Sequence, residues 1–118
     1  MKREYLRWYS HRLHRDMELL IFGHAGAKVL MFPTRDGRFF EYEELGLVGS
    51  LADKLEAGHL QLYCIEGLAT ETFYAAHHHP ADRIRRHSAF ENYILSEVLP
   101  LMAEKNSHTD TIVHGCSL

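Results

Sequence analysis

The segment Lys28-Val29-Leu30-Met31-Phe32, closed by Pro33, is a compact apolar run without the polar alternation of a half-exposed strand. A strand of this kind is buried on both faces, so its sheet must be covered by a layer on each side. The flanking segments say what those layers are. Glu4 to Ser10 is rich in aromatics, and Asp16 to Phe22 alternates around Met17, Leu19 and Ile21. Both read as strands, and the short polar link from His11 to Arg15 makes them a hairpin. Gly23 to Gly26 then breaks the pattern before the apolar run.

Past the turn-rich stretch Pro33 to Gly37 the apolar spacing changes to three and four. Leu45, Val48, Leu51, Ala52 and Leu55 share one face of an expected amphipathic helix, and Gly58 stands as its stop. Leu60 to Glu66 returns to strand character, and Gly67 to Pro80 reads as a loop long enough to suspect of function. Phe90, Ile94, Val98 and Leu101 mark a second helix. Ser88 with Glu91 has capping-box spacing, Asp82 offers an earlier start, and Pro100 should kink the helix by removing the bond to the carbonyl of Ser96. Asp110 to His114 is the fifth strand, ending in Gly115. A hairpin followed by strand, helix, strand, helix, strand predicts an α/β fold: a parallel βαβαβ sheet with helices on both faces, in a single domain over residues 1–118. A flavodoxin-like order also fits five strands, but the antiparallel start opposes it.

Composition excludes several roles. The chain of 118 residues carries 13 Lys+Arg against 16 Asp+Glu, a net charge of -3, with both signs interspersed. There is no basic footprint for nucleic acid and no polybasic arm for an anionic membrane. The apolar runs are too short to span a bilayer, and no apolar leader follows Lys2-Arg3-Glu4, so a cytoplasmic location is the expectation. The two cysteines, Cys64 and Cys116, sit inside apolar runs rather than in a spaced framework and read as buried free thiols; Cys116 reads as a buried structural thiol rather than a nucleophile.

The chain closes with the fifth strand running into His114-Gly115-Cys116-Ser117-Leu118, four positions of G-x-S-x-G. A nucleophilic serine must stand clear of its sheet on a tight strand-to-helix turn, and small residues on either side keep that turn free of clashes. The amides beyond it point at the reaction centre and stabilise the oxyanion of a tetrahedral intermediate.

With these residues in view the sequence resembles the esterase D group of the α/β-hydrolase superfamily, which includes feruloyl-esterase-like and mycolyltransferase-like proteins. The resemblance runs through the whole chain. It is carried by Val29 to Pro33 with the loop through Gly37, by Ile65-Glu66-Gly67 and Glu71-Thr72-Phe73-Tyr74, and by His79-Pro80 to Arg83. It continues in Glu91 to Pro100 and in His114 to Leu118; Phe73 stands where such proteins often have Trp. It implies a serine esterase acting on a carboxylic ester or thioester, without a cofactor. Ser117 would be the nucleophile, and the Leu118 amide would be one oxyanion donor. A second amide would come from the loop after strand three, around Thr34, Arg35 and Asp36. Strands three and five would be neighbours.

The same resemblance puts the catalytic acid and histidine on later strands, and none of the ten histidines matches the catalytic position. The expectation is therefore the N-terminal part of a larger hydrolase, inactive by itself, completed by further chain or by another copy, with the apolar faces of strands three and five uncovered. The alternative is a non-catalytic α/β module binding a ligand or partner.

Other features have plainer readings. Phe73 and Tyr74 either line an acyl or alcohol pocket or pin their loop. His77-His78-His79, with His87 nearby, lacks metal-ligand spacing and reads as surface, so no metal is expected. Arg83, Arg85 and Arg86 read as a solvated helix face rather than an anion site. His114 is given no catalytic role. Tyr5, Trp8 and Tyr9 read as a half-buried sheet face, with subunit pairing as the alternative.

Overall fold

The computed structural model describes residues 1–33, 37–67 and 80–115. They form a five-stranded sheet in the order β1-β2-β4-β3-β5. Its strands are β1 Arg3–Ser10, β2 Arg15–Phe22, β3 Ala27–Phe32, β4 Leu60–Ile65 and β5 Thr111–Gly115. β1 and β2 are the expected antiparallel hairpin, β2 runs antiparallel to β4, and β3 lies parallel between β4 and β5. The hairpin turn closes through His14, whose φ of 55 lies in the left-handed region. Its amide donates to the Ser10 carbonyl at 2.8 Å, the Leu13 amide donates to Ser10 Oγ at 3.2 Å, and Leu13 is tucked under the sheet at 1% exposure.

Strand alternation sorts the side chains into two cores. Met17, Leu19, Ile21, Leu30, Tyr63 and Ile65 face one way. Leu20, Phe22, Val29, Met31, Leu62 and Cys64 face the other. The connection from β3 to β4 covers the second face and the connection from β4 to β5 covers the first, so β3 is buried on both sides as its composition predicts. Among the described residues Val29, Leu30 and Met31 of β3 are buried, whereas Ile112 and Val113 of β5 are 49% and 65% exposed. This corrects the expectation for strand three.

The first connection is three short helices, α1 Glu41–Glu44, α2 Leu47–Ser50 and α3 Ala52–Glu56, in place of one. Gly46 interrupts with a left-handed φ of 84 at the start of α2, which turns Leu45 outward to 72% exposure. Val48 and Leu55 keep the buried positions expected of them. Gly58, at φ +78, ends the layer.

The second connection is α4 Pro80–Tyr93, a π-helical turn Ile94–Val98, and α5 Leu99–Lys105. The earlier of the two expected starts is correct: Asp82 lies in the first turn, and Ser88 is inside the helix. The expected kink takes the form of the π turn. Pro100 has no N–H to give the Ser96 carbonyl, and the helix widens immediately before it. Tyr93, Val98 and Met102 drop from this layer into the core. Trp8 faces that core and stacks on Tyr93 at 6.0 Å. Tyr5 and Tyr9 alternate to the other side at 45% and 49% exposure, so the three aromatics do not share a face. Among the described residues no helix is long and apolar enough to cross a membrane.

Candidate active site

β3, β4 and β5 are parallel and therefore end on the same side of the sheet. The connection after β3 covers one face of the sheet and the connection after β4 covers the other, and the strand order reverses between β3 and β5. The carboxyl ends at such a reversal are the usual ligand position in an open α/β sheet. In the register, Met31 pairs with both Cys64 and His114, and Phe32 pairs with Gly115. The exits of β3 and β4 approach closely at Gly67, where a Cβ would lie 3.0 Å from Pro33 Cγ. Tyr42 of α1, 3% exposed, donates its hydroxyl to the Phe32 carbonyl. Its ring meets His114 edge-on at 5.6 Å, so one side chain touches the ends of both β3 and β5.

Glu66, the residue after β4, is 2% exposed. Its oxygens accept Arg38 Nε at 2.9 and 3.0 Å and the Phe39 amide at 3.2 Å. Glu66 and Glu18 follow and precede the paired residues Ile65 and Leu19, which brings two carboxylates side by side on adjacent strands. Arg38 offsets their repulsion, reaching Glu18 Oε1 at 3.4 Å and lying over the Phe39 and Phe40 rings at 5.7 and 5.5 Å. The hydrogen bond to Glu66 holds the Arg38 guanidinium pKa above its ordinary value, against the opposing effect of burial. Tyr5 donates to Glu18 Oε2 at 2.5 Å, and that bond raises the phenol pKa.

On the opposite face Phe32, Phe90, Ile94 and Leu95, with His87 and Glu91, line an open, almost wholly apolar cleft of about 360 Å³. His87 Nε2 lies 2.9 Å from Glu91 Oε1, one helical turn away. Phe32 packs edge-on against Phe90 at 6.4 Å, and Phe90 stacks on Tyr93 at 6.0 Å, so aromatic packing runs from the cleft back to Trp8.

Ser117, Leu118, Thr34, Arg35, Phe73 and Tyr74 lie outside the described residues, as do Asp36, Cys116 and His77 to His79. What is described is the frame on either side of them: Pro33, Gly37, Gly67, Pro80 and Gly115. Of the three arginines read as a solvated face, Arg85 pairs with Asp82 on the surface, but Arg86 Nη1 donates to the Leu13 carbonyl at 2.6 Å and so ties α4 to the hairpin turn. Arg83 Nε and the Tyr93 hydroxyl are buried without a hydrogen-bond partner among the described residues. No group of three or more His, Cys, Asp or Glu among the described residues could hold a metal ion.

Sequence reasoning named Glu66 only as part of a matched stretch. The available signal is its position: a charged residue between an apolar strand and a glycine, at the carboxyl end of a parallel strand.

No family model matches the chain, and no curated protein does. Solved structures do match. S-formylglutathione hydrolase from Staphylococcus aureus superposes with a TM-score of 0.67 at 13% identity, over 97% of this chain and 48% of that one. The enterobactin esterase from Shigella flexneri gives 0.57 at 21% identity, over 98% and 29%. A ferulic acid esterase from Anaeromyces mucronatus gives 0.56 at 11% identity, over 99% and 48%. The chain thus spans about half or less of the structures it matches. At these identities the likeness concerns architecture: the five-stranded sheet covered by helices on both faces is similar to the α/β fold of those structures, over the part of it these residues span.

Proposed function

We propose that this chain is the nucleophile-bearing part of a serine esterase acting on a carboxylic ester or thioester. The observation that carries the reading is the pairing of Phe32 with Gly115. Ser117 follows Gly115 by two residues and Thr34 follows Phe32 by two, so the nucleophile motif and the oxyanion segment leave the sheet from paired positions.

In the proposed reaction Ser117 Oγ attacks the ester carbonyl carbon. Its proton passes to a general base, and the tetrahedral oxyanion is held by the Leu118 amide and an amide of the Thr34 to Asp36 segment, Arg35 included. Collapse expels the alcohol or thiol, which takes up the proton, and leaves an acyl-serine for water to hydrolyse. The resemblance puts the base and its carboxylate beyond residue 118, so residues 1–118 alone are expected to turn over no substrate. Phe73 and Tyr74 remain candidates for the pocket wall.

A fluorophosphonate probe, followed by mass spectrometry of the adduct, tests this on residues 1–118 and on a form extended through the next domain's worth of chain. The expected result is an adduct at Ser117 in the extended form and none in its Ser117→Ala variant. If both forms are folded and neither is labelled, the esterase reading fails and a non-catalytic binding module becomes the better account.

A further inference from the structure

Glu66 is a carboxylate almost out of water at the mouth of the candidate site, held by Arg38 and the Phe39 amide. A buried ion must recover its desolvation cost from its partners, and an apolar or neutral residue commonly serves stability as well. What the charge does is visible in its contacts. It grips Arg38 and the Phe39 amide, the two residues at the entrance to α1. The Arg38 carbonyl accepts the Glu41 amide at 2.9 Å, which sets where α1 begins. The next residue is Tyr42, whose hydroxyl holds the Phe32 carbonyl and whose ring rests on His114. A continuous set of contacts therefore leads from the end of β4, through α1, to the paired ends of β3 and β5.

We propose that Glu66 is a positioning residue for the acylation step, fixing the Phe32 and Gly115 strand ends through Arg38, Phe39 and Tyr42. The inference rests on the esterase reading above. Glu66 touches no reacting atom; its effect is on the geometry of the two strand exits between which the carbonyl would be held. Small displacements of such groups cost a large share of the rate, about 100-fold for 1 Å.

The test uses the complete natural chain and compares wild type, Glu66→Gln, Glu66→Asp and Arg38→Gln. Near-UV circular dichroism confirms native packing, the fluorophosphonate labelling rate at Ser117 reports acylation, and kcat and KM are measured on a simple aryl ester. Glu66→Gln, which keeps an acceptor for the Phe39 amide, should label about 10- to 100-fold more slowly and lose kcat with KM little changed. Glu66→Asp should recover most of the rate, because the half-exposed Arg38 can follow the shorter carboxylate. Arg38→Gln should reproduce the loss from the solvent side of the pair, even where Glu66→Gln folds poorly. A natively packed Glu66→Gln or Arg38→Gln that labels at the wild-type rate overturns the inference, as does a loss that only tracks the unfolded fraction. Absence of label in the wild type defeats the esterase reading itself, and this inference with it.

Discussion

Trp8 Nε1 donates to Glu97 Oε1 at 2.9 Å across 89 positions of sequence, joining the first strand to the π-helical turn of the second helical layer. Glu97 Oε2 accepts Ser10 Oγ at 2.8 Å as well, and Arg12 lies 3.4 Å away. The widened turn before Pro100 thus carries the carboxylate that satisfies two donors of the hairpin. Glu97→Ala leaves the Trp8 indole N–H and the fully buried Ser10 hydroxyl without their acceptor. It should destabilise the fold by about 2 to 4 kcal/mol, while Glu97→Gln, which keeps one acceptor oxygen, should cost roughly half as much. Urea unfolding followed by the fluorescence of the single Trp8 measures both. Equal stability of Glu97→Ala and wild type would show that the carboxylate contributes nothing to the hairpin's attachment.

Two glycines with similar backbone angles should respond very differently to alanine. Gly26 has φ +95, and a Cβ there would lie 2.3 Å from the backbone carbonyl of His59. Gly46 has φ +84 with nothing within 4 Å. Gly46→Ala should cost about 1 to 2 kcal/mol, the left-handed strain alone. Gly26→Ala adds a clash between backbones that cannot move without parting β3 from β4, and should cost about 4 kcal/mol or more. Thermal unfolding of the pair decides it; similar midpoints would mean that strain, not close approach, governs both sites.

The sheet is readable in the sequence because its signals are strong and local. The unbroken run at β3, the alternation of Met17, Leu19 and Ile21, and the return to strand character at Leu60 all survive into the structure. The helices are less readable, since apolar spacing does not register a break that depends on one backbone angle. Gly46 divides what the spacing presents as one helix, and Leu45 goes outward as a result. Ser88 and Glu91 have the spacing of a cap, yet the helix has already started at Pro80. At the candidate site the resemblance implies that strands three and five are neighbours, and they are; the strand order itself and the pairing of Phe32 with Gly115 come from the structure. The role of Glu66 is not legible, because its partner Arg38 is 28 positions away and only the tertiary fold brings the two together.

The two edges of the sheet differ in chemistry. β1 carries charged pairs, Arg3 with Glu43 and Arg7 with Asp16, which discourage strand addition. β5 has the uncharged, exposed Ile112 and Val113 instead. Residues 1–118 should therefore associate as concentration rises, and Val113→Lys should shift the chain toward monomer with a stability change within about 0.5 kcal/mol. Sedimentation velocity over a concentration series reads this directly. A wild type that stays monomeric throughout would show that the edge and its apolar side chains are not sufficient to drive association.

Alkaline pH should loosen the core through Cys64 and Tyr63. Burial first, and the Glu43 charge second, push the Cys64 thiol from 9.0 up to about 12. Burial first, and then Glu4, push the Tyr63 phenol from 10.0 up to about 12. In the unfolded chain both groups lose their protons near their ordinary values, while the folded protein keeps them bound until about pH 12. Between about pH 9 and pH 12 the unfolded state binds fewer protons, so their contribution to stability is intact below pH 9 and falls as pH rises through that window. Urea midpoints from pH 7 to pH 11 should decline on the alkaline side, and the decline should begin about one unit later in Cys64→Ala, where only phenols with raised pKa remain, Tyr63 and Tyr93 among them. The same burial makes the thiol unreactive. In a Cys116→Ser background, a chromogenic disulfide at pH 8 should modify Cys64 only as fast as the protein unfolds. Rapid modification of the folded protein would mean that the face of β4 carrying Cys64 opens far more readily than its packing against Tyr42, Val48 and Leu55 allows.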